Sequence, residues 1–386
     1  MQKSFFVVML LVLTASVLAT RTRLLIPALS YVYFFPILAM FVAFFFQWQK
    51  FSAFHAGVLV KPFMLFLCTL AFFSLLKAHF KLVELPKLGN ILFIMLLLQL
   101  VLIALQIILG DIPALKIISF KKVYDGFGFR APGSFDWVYI TCYVLSFYLA
   151  YFIVELFLGT RKAIALLMII MIFIAIFLSQ SKTGYLATAL LALYFSLLSI
   201  TLNLGIAKKL LLLKLCFISV ATFAIIQLNL NLDYIANFIE LMSQGQLDGS
   251  TSTRKLQTII AIEQGLTYWY SGSPLALNGV IIENTYLDYL FRYGLLGFIS
   301  IVLLFMTCYF YSLKVCFTSR KNISILGFKH LQLSIAAHIA ITSAILYGFT
   351  GTPLDASRSA IWSAFILALI AYLDHINKTH LSARAN

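Results

Sequence analysis

The stretch Ile91-Leu-Phe-Ile-Met-Leu-Leu-Leu-Gln-Leu-Val-Leu-Ile-Ala-Leu-Gln-Ile-Ile-Leu109 runs for nineteen residues without a charge. As an α-helix it would be about 28 Å long, close to the roughly 30 Å of a bilayer's hydrocarbon core. A backbone N–H or C=O left unpaired in lipid costs several kcal/mol, so a run of this kind must close its hydrogen bonds within itself as a helix. Similar apolar runs cover 5–20, 24–46, 62–76, 137–157, 164–180, 184–206, 210–228, 286–313, 331–350 and 359–373. They lack the strict alternation of a membrane β-barrel. The spacing therefore predicts an all-α, polytopic transmembrane helical bundle of about eleven spans (range ~10–12). One integral membrane domain would occupy residues 1–386, with a long outer loop at 229–285 carrying short helices.

Composition agrees. Of 386 residues, 62% are hydrophobic and 11% charged, with 37 phenylalanines; soluble domains carry about a quarter charged residues. The mean hydropathy is +1.01. Residues 1–20 resemble a signal peptide, but Arg21 and Arg23 follow where small cleavage-site residues would be needed. The segment reads as a retained first helix.

The five cysteines (Cys68, Cys142, Cys216, Cys308, Cys316) lie in or beside apolar runs without a CxxC or Cys/His grouping, so no zinc site or disulfide framework is expected. The histidines are scattered, and P-loop, HExxH, GxSxG and Asp-x-Asp patterns are missing. No nucleotide, metal or other cofactor is expected. A net charge of +15 without aromatic-interleaved basic runs points to anionic lipid rather than nucleic acid.

Topology follows from lysine and arginine. With 229–285 outside, the inner loops hold Arg21, Arg23, Lys77, Lys81, Lys87, Arg161, Lys162, Lys208, Lys209, Lys314, Arg320, Lys321, Lys329, Lys378 and Arg384. The C-terminus is then inside and the N-terminus outside. The loop 110–136 breaks the rule, with four basic residues on the outer side. An anionic ligand there would explain it.

Four polar segments share the outer side. Asp125-Gly-Phe-Gly-Phe-Arg-Ala-Pro-Gly-Ser-Phe-Asp136 places Arg130 among glycines ahead of a helix, where backbone and helix start can meet an anion; the plain alternative is an ordinary turn. Ser179-Gln-Ser-Lys-Thr-Gly-Tyr185 holds Lys182 tightly between two apolar spans, a functional position unless the amine simply snorkels to headgroups. Gly249-Ser-Thr-Ser-Thr-Arg-Lys-Leu256 precedes apolar residues at helical spacing. Arg254 would sit in the first turn, where the dipole opposes a cation, which favours a ligand role for it and for Lys255 over a stabilising one. The alternative is a solvated surface arginine. Finally, Glu283 and Asn284 stand at the outer mouth of a helix in which Asp288 and Arg292, four apart, can pair. That pair reads as structural. Glu283 is the freer carboxylate and a candidate general base, or else a helix-start acid satisfying the dipole.

These segments, in this order, resemble the O-antigen ligase/polymerase superfamily of bacterial envelope enzymes (Wzy-like and ligase-like proteins). The resemblance rests on Arg130-Ala-Pro-Gly-Ser-Phe135, Ser181-Lys-Thr-Gly184, Arg254 at a helix start in the long loop, and Asn284-Thr-Tyr-Leu287 leading to Gly294-Leu-Leu-Gly297, and covers roughly 90–373. It departs from the family at Glu283, where ligases usually carry histidine, which favours a polymerase. It departs again at Lys182, where arginine is common and the bidentate fork is lost.

The resemblance implies a Wzy-like glycosyltransferase of the bacterial inner membrane, its active site facing the periplasm. It would join polyprenyl-diphosphate-linked oligosaccharides in polysaccharide or lipopolysaccharide biosynthesis, beside chain-length regulator and flippase partners. Arg130, Lys182, Arg254 and Lys255 would bind the diphosphate, and Glu283 with Arg254 would catalyse. Asn284 and the aromatic run Tyr268, Trp269 and Tyr270 would contact the sugars, unless those rings are interfacial anchors. Two other readings are a ligase moving finished polymer to another acceptor and a transporter or flippase for lipid-linked sugar. A transporter would call for mid-membrane charges and repeated halves, neither of which is apparent.

Overall fold

The computed structural model describes residues 11, 14, 15, 18, 26–47, 60–109, 131–135, 137–206, 240–241, 243–246, 249–278, 280–354 and 357–385. Among them the chain is helical and contains no strand. After a 3-10 turn at Ala28–Tyr33, the described residues form ten α-helices: α1 (Phe34–Gln47), α2 (Lys61–His79), α3 (Leu85–Leu109), α4 (Val138–Leu158), α5 (Lys162–Leu178), α6 (Lys182–Thr201), α7 (Gly249–Thr267), α8 (Thr285–Lys321), α9 (Ile323–Gly348) and α10 (Ser357–Ala385). Among the described residues, eight segments are long and apolar enough to cross a membrane: α1 with its preceding turn, α2, α3, α4, α6, α8, α9 and α10. Helix α5 is apolar but shorter, at 17 residues. The expected spans at 210–228 and over most of 5–20 lie outside the described residues, as does most of 207–248. On this count the protein is a multi-pass membrane protein.

Its exposed side chains carry the same message. Along α3, Ile91, Ile94, Leu98, Val101, Leu105 and Ile108 recur every three or four residues and point outward, Leu98 at 66% and Ile108 at 75% exposure. A water-facing helix would put polar residues there; a lipid-facing one needs apolar residues on its outer side.

The chain divides into two compact units. The first comprises Met1–Leu88, Gly249–His330 and Ala344–Asn386. Here α2 packs along α10, α1 along α8, and α7 along α8. Fully buried Ala39 and Ala43 let α1 approach closely, as small residues do between membrane helices. One end of this unit collects basic residues. His330 bridges Ser319 Oγ (2.9 Å) and the Leu373 carbonyl (3.1 Å). The Tyr372 hydroxyl donates to the Phe80 carbonyl (2.8 Å), and Asp374 accepts from Tyr311 (2.5 Å) and pairs with Lys378 (2.7 Å). The nearby helix ends bear Lys77, Lys81, Arg320, Lys321 and Lys329, all assigned to inner loops from sequence.

In the second unit, Gly89–Asp248 with Leu331–Ser343, α4 is central and buried continuously from Val138 to Glu155. Helices α5 and α6 flank it. The stretch 331–343 of α9 joins it through Ser146–Ser343 (2.8 Å) and Gln332 Nε2 donating to the Tyr151 carbonyl (2.9 Å). His338 meets the Tyr194 hydroxyl (2.5 Å), the helix-joining role expected of a polar side chain inside a span.

Helix α8 departs from the sequence expectation of one straight span. Gly294 has φ 67° and ψ −160°, a non-helical conformation inside the helix. In a straight helix Tyr286 and Phe305 would lie about 28 Å apart. Their rings are instead 5.6 Å apart, so 285–293 folds back along 295–321. The short arm, about 13 Å long, cannot cross a bilayer. A Cβ added at Gly297 would come within 2.5 Å of both the Tyr289 carbonyl oxygen and the Tyr293 Cβ, so the two arms touch at that glycine. Gly294-Leu-Leu-Gly297 is thus the corner of a helical hairpin.

Candidate functional site

The hairpin corner is held by backbone from the turn after α7. Leu295 N–H donates to the Trp269 carbonyl (2.6 Å), and Ser273 N–H to the Phe291 carbonyl (2.7 Å). Gln47, buried at the end of α1, donates Nε2 to the Ser271 (2.6 Å) and Gly272 (2.9 Å) carbonyls. Gly272 and Gly294 both have positive φ, and a Cβ on either would collide with the backbone facing it. These bonds satisfy groups freed by the break, as a broken helix in a membrane requires.

The same clasp fixes α7 along the short arm. Ala261 is fully buried with Ala276, Ile282 and Phe291. A Cβ on Gly265 would stand 2.6 Å from Leu290 Cγ, so small residues set the helix separation. This lays Arg254 beside Glu283: Nε lies 3.2 Å from Oε2, with the side chains 34% and 22% exposed. Both are therefore reachable from outside. Gln257, one turn on, accepts the Glu283 N–H through Oε1 (3.0 Å). Among the described residues, Glu283 is the one carboxylate that Arg254 meets. Helix α7 begins at Gly249, so Arg254 lies in its second turn, not its first, and the dipole argument drawn from sequence weakens accordingly.

Asn284 caps the short arm. Its Oδ1 accepts from the Leu287 N–H (3.0 Å), and its Nδ2 donates to the Phe349 carbonyl (3.0 Å). Thr285 N–H and Oγ1 both donate to the Gly351 carbonyl (3.1 and 2.9 Å). Asp288 and Arg292 form a buried pair (2.7 Å), with side chains 0% and 8% exposed, as their spacing predicts. An apolar groove of about 570 Å³ is lined by Asn284, Tyr286 and Leu287 at the start of the short arm, by Phe298, Val302, Phe305 and Phe310 of the long arm, and by Ile345 and Phe349 at the end of α9.

The other predicted residues are placed as follows. Lys255 is exposed on α7. Tyr268, Trp269 and Tyr270 stand at the far end of α7, about 22 Å along the helix from Arg254; the Tyr270 ring packs edge-on against Phe46 (5.1 Å). The structure does not bring this aromatic run to the Arg254–Glu283 pair.

Arg130 lies outside the described residues. Its neighbouring segment 131–135 belongs to the second unit with Lys182, and there the first two sequence segments meet around the start of α4. Thr141 Oγ1 donates to the Pro132 carbonyl. Cys142 Sγ touches Ser179 Oγ (3.2 Å), and Ser181 caps α6 by accepting the Gly184 N–H (3.0 Å). A Cβ on Gly184 would stand 2.6 Å from Cys142 Sγ. Lys182 opens α6 directly after this cap. The four polar segments thus meet as two pairs, one in each unit.

Sequence reasoning passed over the glutamines. Gln106 grips Gly133 through both its N–H and carbonyl (2.8 Å each), and Gln99 Oε1 accepts from Ser134 Oγ (2.6 Å). Gln99 and Gln106 are seven apart, on one face of an otherwise apolar span, and that spacing was the available signal. Gln47 and Gln257 play matching parts around the hairpin.

Neither a scan against protein-family models nor a search of curated proteins returns a match to this chain.

Proposed function

We propose that the chain is a Wzy-like polysaccharide polymerase, a glycosyltransferase joining polyprenyl-diphosphate-linked oligosaccharides at the periplasmic face of a bacterial inner membrane. The observation that carries this reading is the Arg254–Glu283 pair at 3.2 Å, partly open; the next residue in the chain, Asn284, lines an apolar groove. A lipid diphosphate offers a dianionic head and a long apolar tail. The guanidinium meets the first and the groove has the character for the second.

In this reading the acceptor hydroxyl oxygen attacks the donor's anomeric carbon. The bond from that carbon to the diphosphate oxygen breaks, and its electron pair leaves with the diphosphate. Arg254 stabilises the negative charge growing there, an electrostatic contribution that is strongest when the donor is already in position. Glu283 takes the hydroxyl proton, with Gln257 fixing its backbone. The diphosphate is both activator and leaving group, so the reaction needs no nucleotide. Lys182 and Arg130 are proposed as further diphosphate contacts, on the strength of the sequence resemblance alone. Asn284 caps the arm next to the base and acts by positioning it.

The experiment is complementation of a deletion strain with wild-type chain or Arg254→Ala, reading lipid-linked and surface glycans together. The polymerase reading expects single repeat units on the surface with the variant. Long chains accumulating on the carrier would instead indicate a ligase.

A further inference from the structure

Helix α7 carries a second face that the site does not use. Leu256, Ile259, Ile262, Leu266, Trp269 and Tyr270 recur every three or four residues, each between 40% and 58% exposed. The opposite flank is consumed by protein: Ala261 and Gly265 pack on the short arm, and Arg254 and Gln257 reach Glu283. The sequence put this segment in an outer aqueous loop. A helix in water would not turn so largely apolar a face outward; its charges are Lys255 at the N-terminal end and Glu263 at the border of the stripe, both exposed.

We infer that α7 is seated in the bilayer along this stripe, with lipid acyl chains as its partner. The stripe is continuous with a lipid-facing surface. Its last ring, Tyr270, packs on Phe46, and Phe45 and Phe46 (78% and 56% exposed) form the outward edge of α1, a helix apolar enough to span. It ends in a tryptophan and a tyrosine, the pair that marks the boundary between acyl chains and headgroups. An amphipathic helix so composed embeds its apolar face at the headgroup and acyl boundary. This inference needs only the membrane character of the chain and stands apart from the polymerase reading. Its consequence is that Arg254 and Glu283, on the other flank of α7, are held close to the membrane surface.

The test uses full-length protein in nanodiscs of phosphatidylethanolamine and phosphatidylglycerol, with nitroxide labels at Ile262→Cys, Thr253→Cys and, as a lipid-facing reference, Leu303→Cys. Cys216 is replaced by serine, and the other four cysteines are buried. At 262 and 303, collisions with oxygen should exceed those with a water-soluble nickel chelate, placing the 262 label about 5–10 Å below the phosphates. At 253 the order should reverse. A 262 label that behaves like 253 would leave α7 in water, and one shielded from both reagents would mean that protein covers the stripe; either result overturns the inference. Should Ile262→Cys fail to fold, quenching of tryptophan fluorescence by brominated lipid gives an independent reading. Wild type should be quenched more than Trp269→Phe, and equal quenching would overturn the inference.

Discussion

Replacing Gly294 with alanine tests the hairpin directly. Two separate penalties apply. The first is conformational: φ 67° with ψ −160° is a region essentially reserved for glycine, and an L-residue held there costs about 1–3 kcal/mol. The second is steric. The new Cβ would collide with the Trp269 carbonyl. That carbonyl accepts the Leu295 N–H, so relieving the clash breaks this bond and leaves an N–H and a carbonyl unpaired within a membrane helix, for about another 1–3 kcal/mol. Gly327 separates the two penalties. It has nearly the same backbone (φ 77°, ψ 165°) with nothing within 4 Å of an added Cβ. Gly327→Ala should therefore pay the first penalty alone. The expected gap between the variants is about 2 kcal/mol, roughly thirtyfold in the folded-to-unfolded ratio. Reversible detergent unfolding in bicelles, followed by circular dichroism, reads both. A Gly294→Ala loss equal to or smaller than that of Gly327→Ala would refute the close contact between the hairpin corner and the α7 turn.

Arg254→Ala should abolish glycan extension while leaving the protein monodisperse on size exclusion, since a partly exposed pair contributes about 1 kcal/mol or less; aggregation would make Arg254 structural. Asp288→Ala should destabilise by about 3–5 kcal/mol because it removes one member of a buried ion pair, and the double variant Asp288→Leu with Arg292→Met should recover folded yield. Gln106→Leu leaves the N–H and carbonyl of Gly133 unpaired at about 1–3 kcal/mol each, so its thermal stability in detergent should fall further than that of Gln264→Leu, which removes one contact to Ser273.

The apolar runs predicted the helices well wherever a run and a helix coincide: 137–157 became Val138–Leu158, long enough to span, and 164–180 became the shorter Lys162–Leu178. They fell short where charge ended the run but not the helix. Arg320 and Lys321 close α8 eight residues past the predicted end at 313, because a basic side chain suits a helix C-terminus and the headgroup region alike. The hairpin was hidden for a different reason. Gly-Leu-Leu-Gly in an apolar stretch reads as continuous span, and the reversal depends on Trp269, Ser273 and Gln47, which are distant in sequence. Pairing of Arg254 with Glu283 was equally illegible, because 29 residues and a clasp of backbone bonds separate them. Asp288 and Arg292 were legible, since one helical turn brings them together. The aromatic run was read for its chemistry, and only the course of α7 shows that it ends far from Arg254.

The most direct test of the account is reconstitution. Purified wild-type chain in vesicles, given polyprenyl-diphosphate-linked repeat units without nucleotide, should lengthen them into a ladder on a gel, and Glu283→Gln and Arg254→Ala should each leave single units. Substrate carried across the vesicle without lengthening, or a full ladder from either variant, would contradict the claim that this pair performs glycosyl transfer.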